Sequence, residues 1–278
     1  MRFLLIKTLF ICCLTVFLSG CETLGLKEGS SNTEDKYAGY NEAQFHKEAK
    51  EALQNESYQK AVELYEALEA RYPFGDYSAQ TQLDLAYAYH KNGDAEASLA
   101  AAERFIKVNP RNPSVDYAYY LKGLVSYNRG IGIMDRFLPT DSSQRDINSA
   151  QESYNVFQEL VRRFPNSKYA PDAKQRMIAL RNNIAMHEIR IASYYLKRKA
   201  YVAAVSRCNL VIKDYQRTPA VPYALQIMQE AYTELGLTSL AKDAKKIFDS
   251  NYPQGVPEIQ NPKNGFVYDV WDFIGFDE

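Results

Sequence analysis

Three histidines and four cysteines carry the side-chain chemistry in this chain that most often binds metals or supplies a nucleophile. His187-Glu188-Ile189-Arg190-Ile191 lacks the second histidine that a zinc-binding His-Glu helix presents one turn later. His90 ends a predicted helix, where imidazole commonly settles against the helix terminus, and His46 stands without a second ligand nearby in sequence. There is no glycine-rich phosphate loop, no nucleophile elbow and no cysteine pair spaced for zinc. The expectation is a protein with no catalytic residues, no metal and no cofactor. Cys208 lies alone in an apolar stripe and reads as a small buried hydrophobe. The remaining reactive position is Cys21, which directly follows Leu18-Ser19-Gly20.

A thiol preceded by small residues suits acylation, because the thiol takes up the lipid while the small residues admit a peptidase. The segment before it supports that reading. Residues 1–20 carry Arg2 and Lys7, then the apolar run Leu9 to Leu18, the pattern of a secretory signal peptide. That run is about half the roughly 20 residues needed to span a bilayer as a helix. Leu18 to Cys21 looks like the bacterial lipobox, so retention is expected through a lipidated Cys21, with Glu22 leaning toward the outer membrane. Two or more acyl chains anchor firmly where one holds only marginally. Cys12 and Cys13 leave with the signal and Cys21 is taken by lipid, so no internal disulfide is expected. Loss of Arg2 and Lys7 takes the formal charge from -1 to -3, which gives no electrostatic case for nucleic acid.

An internal repeat sets the fold. Five segments end alike: Tyr58 to Pro73, Ala95 to Pro110, Ala150 to Pro165, Tyr201 to Gln216 and Thr238 to Pro253. Twelve residues before each end stand Ala61, Ser98, Ser153, Ala204 and Ala241, all small. Five residues before it stand Leu68, Phe105, Leu160, Val211 and Phe248, all large and apolar. Positions seven apart share one helix face two turns apart, so the small residue admits a neighbouring helix and the large one fills the space beside it. Partner helices are predicted over Asn41 to Gln54, Ser78 to Lys91, Ser114 to Arg129, an overlong Pro171 to Lys197, and Val221 to Leu235. The expected fold is all-α: a TPR-like right-handed solenoid of five helical hairpins over residues 41–253. Gly130 to Asn148 is expected as an inserted loop, 21–40 as a lipidated flexible tether, and 254–278 as an extended aromatic, proline-containing tail. The tail, with the single Trp271, is too apolar for a plain solvated end. It is expected either to fold back on its own protein or to dock on a partner.

Stacked hairpins present an extended concave face built from their first helices, a surface suited to peptides and partner domains. Here those helices carry Asp84, Tyr87, His90, Tyr117, Tyr119, Tyr120 and Tyr127. Tyrosine supplies rigid contact area with a polar tip, although many of these rings must also pack between helices. One position breaks the repeat. Nine residues before the segment ends are Leu64, Ala101, Val156, Arg207 and Ala244. A charge at a helix interface requires a partner, which is either a carboxylate of the chain, Asp214 or Glu188, or another protein.

Several stretches together resemble one family: the lipobox, Tyr72-Pro73-Phe74-Gly75-Asp76-Tyr77-Ser78, Leu83 to Asp94, Asp135 to Asp141 with Arg145-Asp146, and Phe164 to Ala173. The chain is similar, to about Pro253, to the BamD (ComL-type) family of outer-membrane assembly lipoproteins. The resemblance implies a lipid-anchored scaffold on the periplasmic face of the outer membrane, within the Bam machine that inserts β-barrel proteins. It implies as partners the barrel subunit's periplasmic domains, accessory lipoproteins and nascent outer-membrane β-barrel proteins. The N-terminal repeats would read the C-terminal targeting strand of incoming chains, with Asp84, Tyr87, His90, Asp116 and Tyr120 as groove candidates. Arg207 would lie on the side that docks the barrel subunit. The competing reading is a peptidoglycan- or division-associated TPR scaffold lipoprotein.

Overall fold

The computed structural model describes residues 36–129 and 147–256. The signal peptide, Cys21, most of the tether, nearly all of the expected insert and the tail from Pro257 onward lie outside the described residues. The polypeptide divides into two units at Asn41. In the first, residues 36–39 form a turn, and the Tyr37 and Tyr40 rings meet edge to face at 5.4 Å.

The second unit contains ten helices and no strand among the described residues. They are α1 (Glu42–Gln54), α2 (Tyr58–Arg71), α3 (Ser78–Asn92), α4 (Ala95–Val108) and α5 (Val115–Arg129). The series continues with α6 (Ile147–Arg163), α7 (Ala170–Lys197), α8 (Tyr201–Asp214), α9 (Ala220–Glu234) and α10 (Thr238–Asn251). Each helix packs on the next in sequence, and α9 also packs against α7. This is an all-α solenoid of five helical hairpins. The insert ends two residues earlier than its composition suggests, because Ile147 and Asn148 already belong to α6.

In four of the hairpins the two helices are joined by one recurring turn, the connection of the third lying outside the described residues. Its left-handed residue is Glu56 (φ 58°), Gly93 (φ 90°), Lys199 (φ 61°) or Gly236 (φ 72°). The next backbone N–H bonds back to the helix carbonyl five residues earlier, Ser57 to Ala52, Asp94 to Tyr89, Ala200 to Tyr195 and Leu237 to Tyr232, at 2.9 Å in each case. Such a closure satisfies carbonyls that the helix end leaves unpaired. In the second hairpin Asp94 also accepts from Ala97 N–H at 3.1 Å, capping α4.

The small positions of the repeat are the points of closest helix approach. Ala61, Ser98, Ser153 and Ala204 are wholly buried, and each faces a small residue of the preceding helix: Ala49, Ala86, Gly123 and Ala192. Where the notch residue is serine its hydroxyl bonds the facing backbone, Ser98 Oγ to Ala86 O at 2.7 Å and Ser153 Oγ to Gly123 O at 2.9 Å. A Cβ on Gly123 would stand 2.5 Å from a Phe157 ring carbon, so this crossing tolerates only glycine without a shift of the ring. Leu68, Phe105, Leu160 and Val211 are buried beside the notches as the repeat predicts. Phe248 is half-buried, since among the described residues no helix follows α10.

Candidate peptide-binding groove

The first helices of successive hairpins present their side chains to one another across the array. On α3, Asp84 accepts from Gln80 Nε2 at 2.7 Å and from the Tyr65 hydroxyl at 3.3 Å. Burial pushes the Asp84 carboxyl above its usual range, against the Gln80 bond and the positive charges of His46 and Lys50 on α1. Tyr87, one turn on, rests half-buried on the cluster of Ala86, Leu99, Leu121 and Val125. Burial, and then the charge of Lys91, hold the His90 imidazole below its ordinary range, so this histidine is neutral at pH 7.

The next step of the groove joins α5 to α7. The Tyr120 ring stacks on Tyr169 with centroids 4.7 Å apart and planes at 18°, and Tyr117 approaches the same ring at 5.4 Å. The Tyr120 hydroxyl donates to Asp172 at 2.7 Å, and Arg176 Nε donates to the same carboxylate oxygen at 2.6 Å. The Arg176 guanidinium also lies over the Tyr127 ring at 5.5 Å. Burial opposes ionisation of Asp172, but the bonds from Arg176 and Tyr120 outweigh it and hold the carboxyl below its usual range. Burial raises the Tyr117 phenol, reinforced by the nearby Tyr87, Tyr169 and Asp84. That proximity links the α3 residues to the α5–α7 cluster. The result is a run of tyrosine faces with a fixed guanidinium at one place and a partly desolvated carboxyl at another, a surface able to take aromatic side chains and meet a charged terminus.

Asp84, Tyr87 and Tyr120 all lie within electrostatic reach of Tyr117, while His90 sits at the C-terminal end of α3. Asp116 has a different setting: its carboxylate accepts from Ser167 Oγ at 2.6 Å and from Tyr117 N–H at 2.8 Å, tying the start of α5 to the approach of α7. Arg207 is paired within the chain, with Glu188 Oε2 at 3.1 Å. The Arg207 side chain remains 41% exposed while that of Glu188 is 13% exposed, so the pair has one open side. Asp214, the other carboxylate considered for it, offers its backbone carbonyl to Arg181 at 3.0 Å. Tyr169, Asp172 and Arg176 were not singled out by the sequence, because they meet α5 only across the insert. Phe74, in the α2–α3 turn, is 97% exposed. The equivalent turns carry Arg111, Asn166 and Arg217, and that contrast is the signal that marks it.

Among the described residues, no helix is long and apolar enough to cross a membrane, and no group of three or more His, Cys, Asp or Glu is placed to hold a metal. Residues 39–247 match the family model described as YfiO, outer membrane lipoprotein. The chain belongs to this family. Relatives within it include the outer membrane protein assembly factor BamD of Neisseria meningitidis serogroup A, 40% identical over 89% of this chain and 92% of its own length. The protein of the same name from Vibrio cholerae is 39% identical over 84% of this chain and 97% of its own. That of Haemophilus influenzae is 35% identical over 92% and 95%. The YfiO match runs from before α1 into α10, and so contains the candidate groove residues and the Arg207–Glu188 pair.

Proposed function

We propose that this YfiO-family chain is a non-enzymatic scaffold of the β-barrel assembly (Bam) machine, held at the periplasmic face of the outer membrane by acylated Cys21. Residues 21–40 act as the tether, 41–253 as the binding array and 254–278 as an appended tail. The groove of Asp84, Tyr87, His90 and Tyr120 receives the C-terminal targeting strand of nascent outer-membrane β-barrel proteins, with Asp116 holding α5 and α7 in register. The barrel subunit's periplasmic domains and the accessory lipoproteins occupy the later hairpins, where the exposed side of Arg207 is a docking contact.

The observation that carries the reading is the stacked Tyr120–Tyr169 pair beside the Asp172-held Arg176. A strand ending in alternating aromatic residues and a free carboxylate is complementary to such a surface. Affinity for a synthetic peptide of that kind tests it. Replacing Tyr87 and Tyr120 together by alanine removes stacking faces that at interfaces commonly contribute about 1–2 kcal/mol or more each, and tenfold or greater weakening is expected. Unchanged affinity would misplace the groove. A pull-down in mild detergent tests the assembly itself: recovery of a barrel protein with repeated periplasmic domains supports it, and recovery of murein synthases instead would point to a peptidoglycan scaffold. Mass spectrometry of the mature N-terminus decides the acylation of Cys21.

A further inference from the structure

The last helix breaks the repeat in a way that calls for a cover of particular chemistry. In the four earlier second helices, the position four residues after the notch is Tyr65, Ala102, Phe157 or Cys208, each fully buried. In α10 it is Lys245. The position directly after the notch is Val62, Leu99, Tyr154 or Val205 in the earlier helices and Lys242 in α10. Yet the large apolar position is kept as Phe248, half-exposed and in contact with the Tyr252 ring at 5.7 Å. In the internal hairpins this combined face is covered by the following first helix. On α10 it offers half-covered aromatic surface flanked by lysines. Lys245 is engaged only with Asp249 of its own helix, an exposed pair of the kind that contributes little. Among the described residues Lys242 and Lys246 have no carboxylate partner.

A sixth apolar helix does not fit this face, because it would bury Lys242 without a counter-charge and desolvate the Lys245–Asp249 pair. An acidic aromatic segment does. The chain supplies one directly: residues 257–278 hold Glu258, Asp269, Asp272, Asp277 and Glu278 against Lys263 alone. Phe266, Tyr268, Trp271 and Phe273 alternate with the aspartates Asp269 and Asp272. At about 3.3–3.6 Å per extended residue the segment reaches roughly 70 Å, whereas α10 is only about 21 Å long. The stretch before Phe266 is therefore long enough to turn back along the helix. We infer that the C-terminal segment caps the array by laying its aromatic rings on Phe248 and Tyr252 while Asp269 and Asp272 meet Lys242 and Lys245. Terminal units of stacked-repeat proteins require such closure of the open end.

Trp271 is the single tryptophan of the chain, so its fluorescence reports the segment directly. In the full mature chain the cap predicts blue-shifted emission and acrylamide quenching several-fold weaker than in a synthetic 257–278 peptide. Lys242→Glu with Lys245→Glu, both on the open face, removes that shielding while the circular dichroism stays helical. Adding Asp269→Lys and Asp272→Lys to that variant restores it. The inference is overturned if Trp271 of the parent chain is quenched like the peptide, or if shielding survives the lysine reversals. It is equally overturned if shielding is lost instead on replacing Tyr87 and Tyr120 by alanine, which would put the segment in the groove.

Discussion

The first three hairpins and the last two obey one packing rule and fill it differently. In the N-terminal half two of the three notches are serines bonded to backbone carbonyls, and the spaces around the notches hold Tyr65, Phe105 and Phe157. In the C-terminal half the notch is Ala204, and its cluster is built from Ala185, Ala192, Cys208, Ala220 and Ala224. Small residues there let the 28-residue α7 pack against both α8 and α9. The aromatic half leaves rings and hydroxyls at its edges, the surface proposed above as the groove, whereas in the alanine half α7, α8 and α9 pack closely on one another. The same repeat thus yields an aromatic end and an alanine end that differ in the volume of their fillers.

The largest test removes an aromatic filler. Phe157→Ala empties a fully buried site beneath Tyr120 and beside Gly123, and a loss of about 3–5 kcal/mol is expected by urea unfolding. Gly123→Ala attacks the same crossing by overpacking and should cost about 1–3 kcal/mol. In the alanine half the corresponding test is Cys208→Ser, which places a hydroxyl in an apolar cluster at an expected cost of about 1–3 kcal/mol. Burial pushes the Cys208 thiol up to about 12, so in the folded protein it should resist alkylation at pH 8 and react only on unfolding. If Phe157→Ala proved no costlier than Cys208→Ser, the contrast between the halves would fail.

A gain in stability is expected at the hairpin turns. Glu56 and Lys199 occupy the left-handed conformation that Gly93 and Gly236 hold in the sister turns. A non-glycine residue there costs about 1–2 kcal/mol in backbone strain, partly offset by the greater freedom that glycine has when unfolded. Glu56→Gly or Lys199→Gly should therefore raise stability by a few tenths to about 1 kcal/mol, one in each half. Equal gains would show that the halves differ in filler and not in frame.

The frame was legible in the sequence because it is local. Notch, filler and terminating residue recur within a 16-residue segment, and a helix converts that spacing into a face. The groove was only partly legible. Asp84, Tyr87 and Tyr120 follow from their place on first helices, but Tyr169, Asp172 and Arg176 reach Tyr120 across about 50 residues that include the insert, a pairing no periodicity encodes. Asp116 reads as a groove carboxylate in the sequence, and its bond from Ser167, 51 residues away, is a second pairing that no periodicity encodes. For Arg207 the sequence leaves Glu188, Asp214 or another protein as the partner, and the packing of α8 on α7 brings Glu188 to it.

The smallest expected effect lies in the pH dependence of the aromatic half, where two groups pull in opposite directions. His90 has its folded pKa lowered from 6.5 by burial, so the unfolded chain binds more protons there. Its contribution is fully present above about pH 6.5 and is lost as pH falls toward the folded value. Asp84 has its folded pKa raised from 3.8, again first by burial, so the folded chain binds more protons in the window just above that value, and stability falls as pH rises through it. The midpoint of urea unfolding should therefore drop between pH 7.5 and 5.5 by an amount that His90→Gln reduces. Asp84→Asn should act in the opposite sense, removing the loss of stability that accompanies rising pH above the ordinary carboxylate range. Because the alanine half contributes neither group, Cys208→Ser should shift the whole curve without altering its slope in either window. A slope carried instead by that variant would move the titrating sites out of the groove.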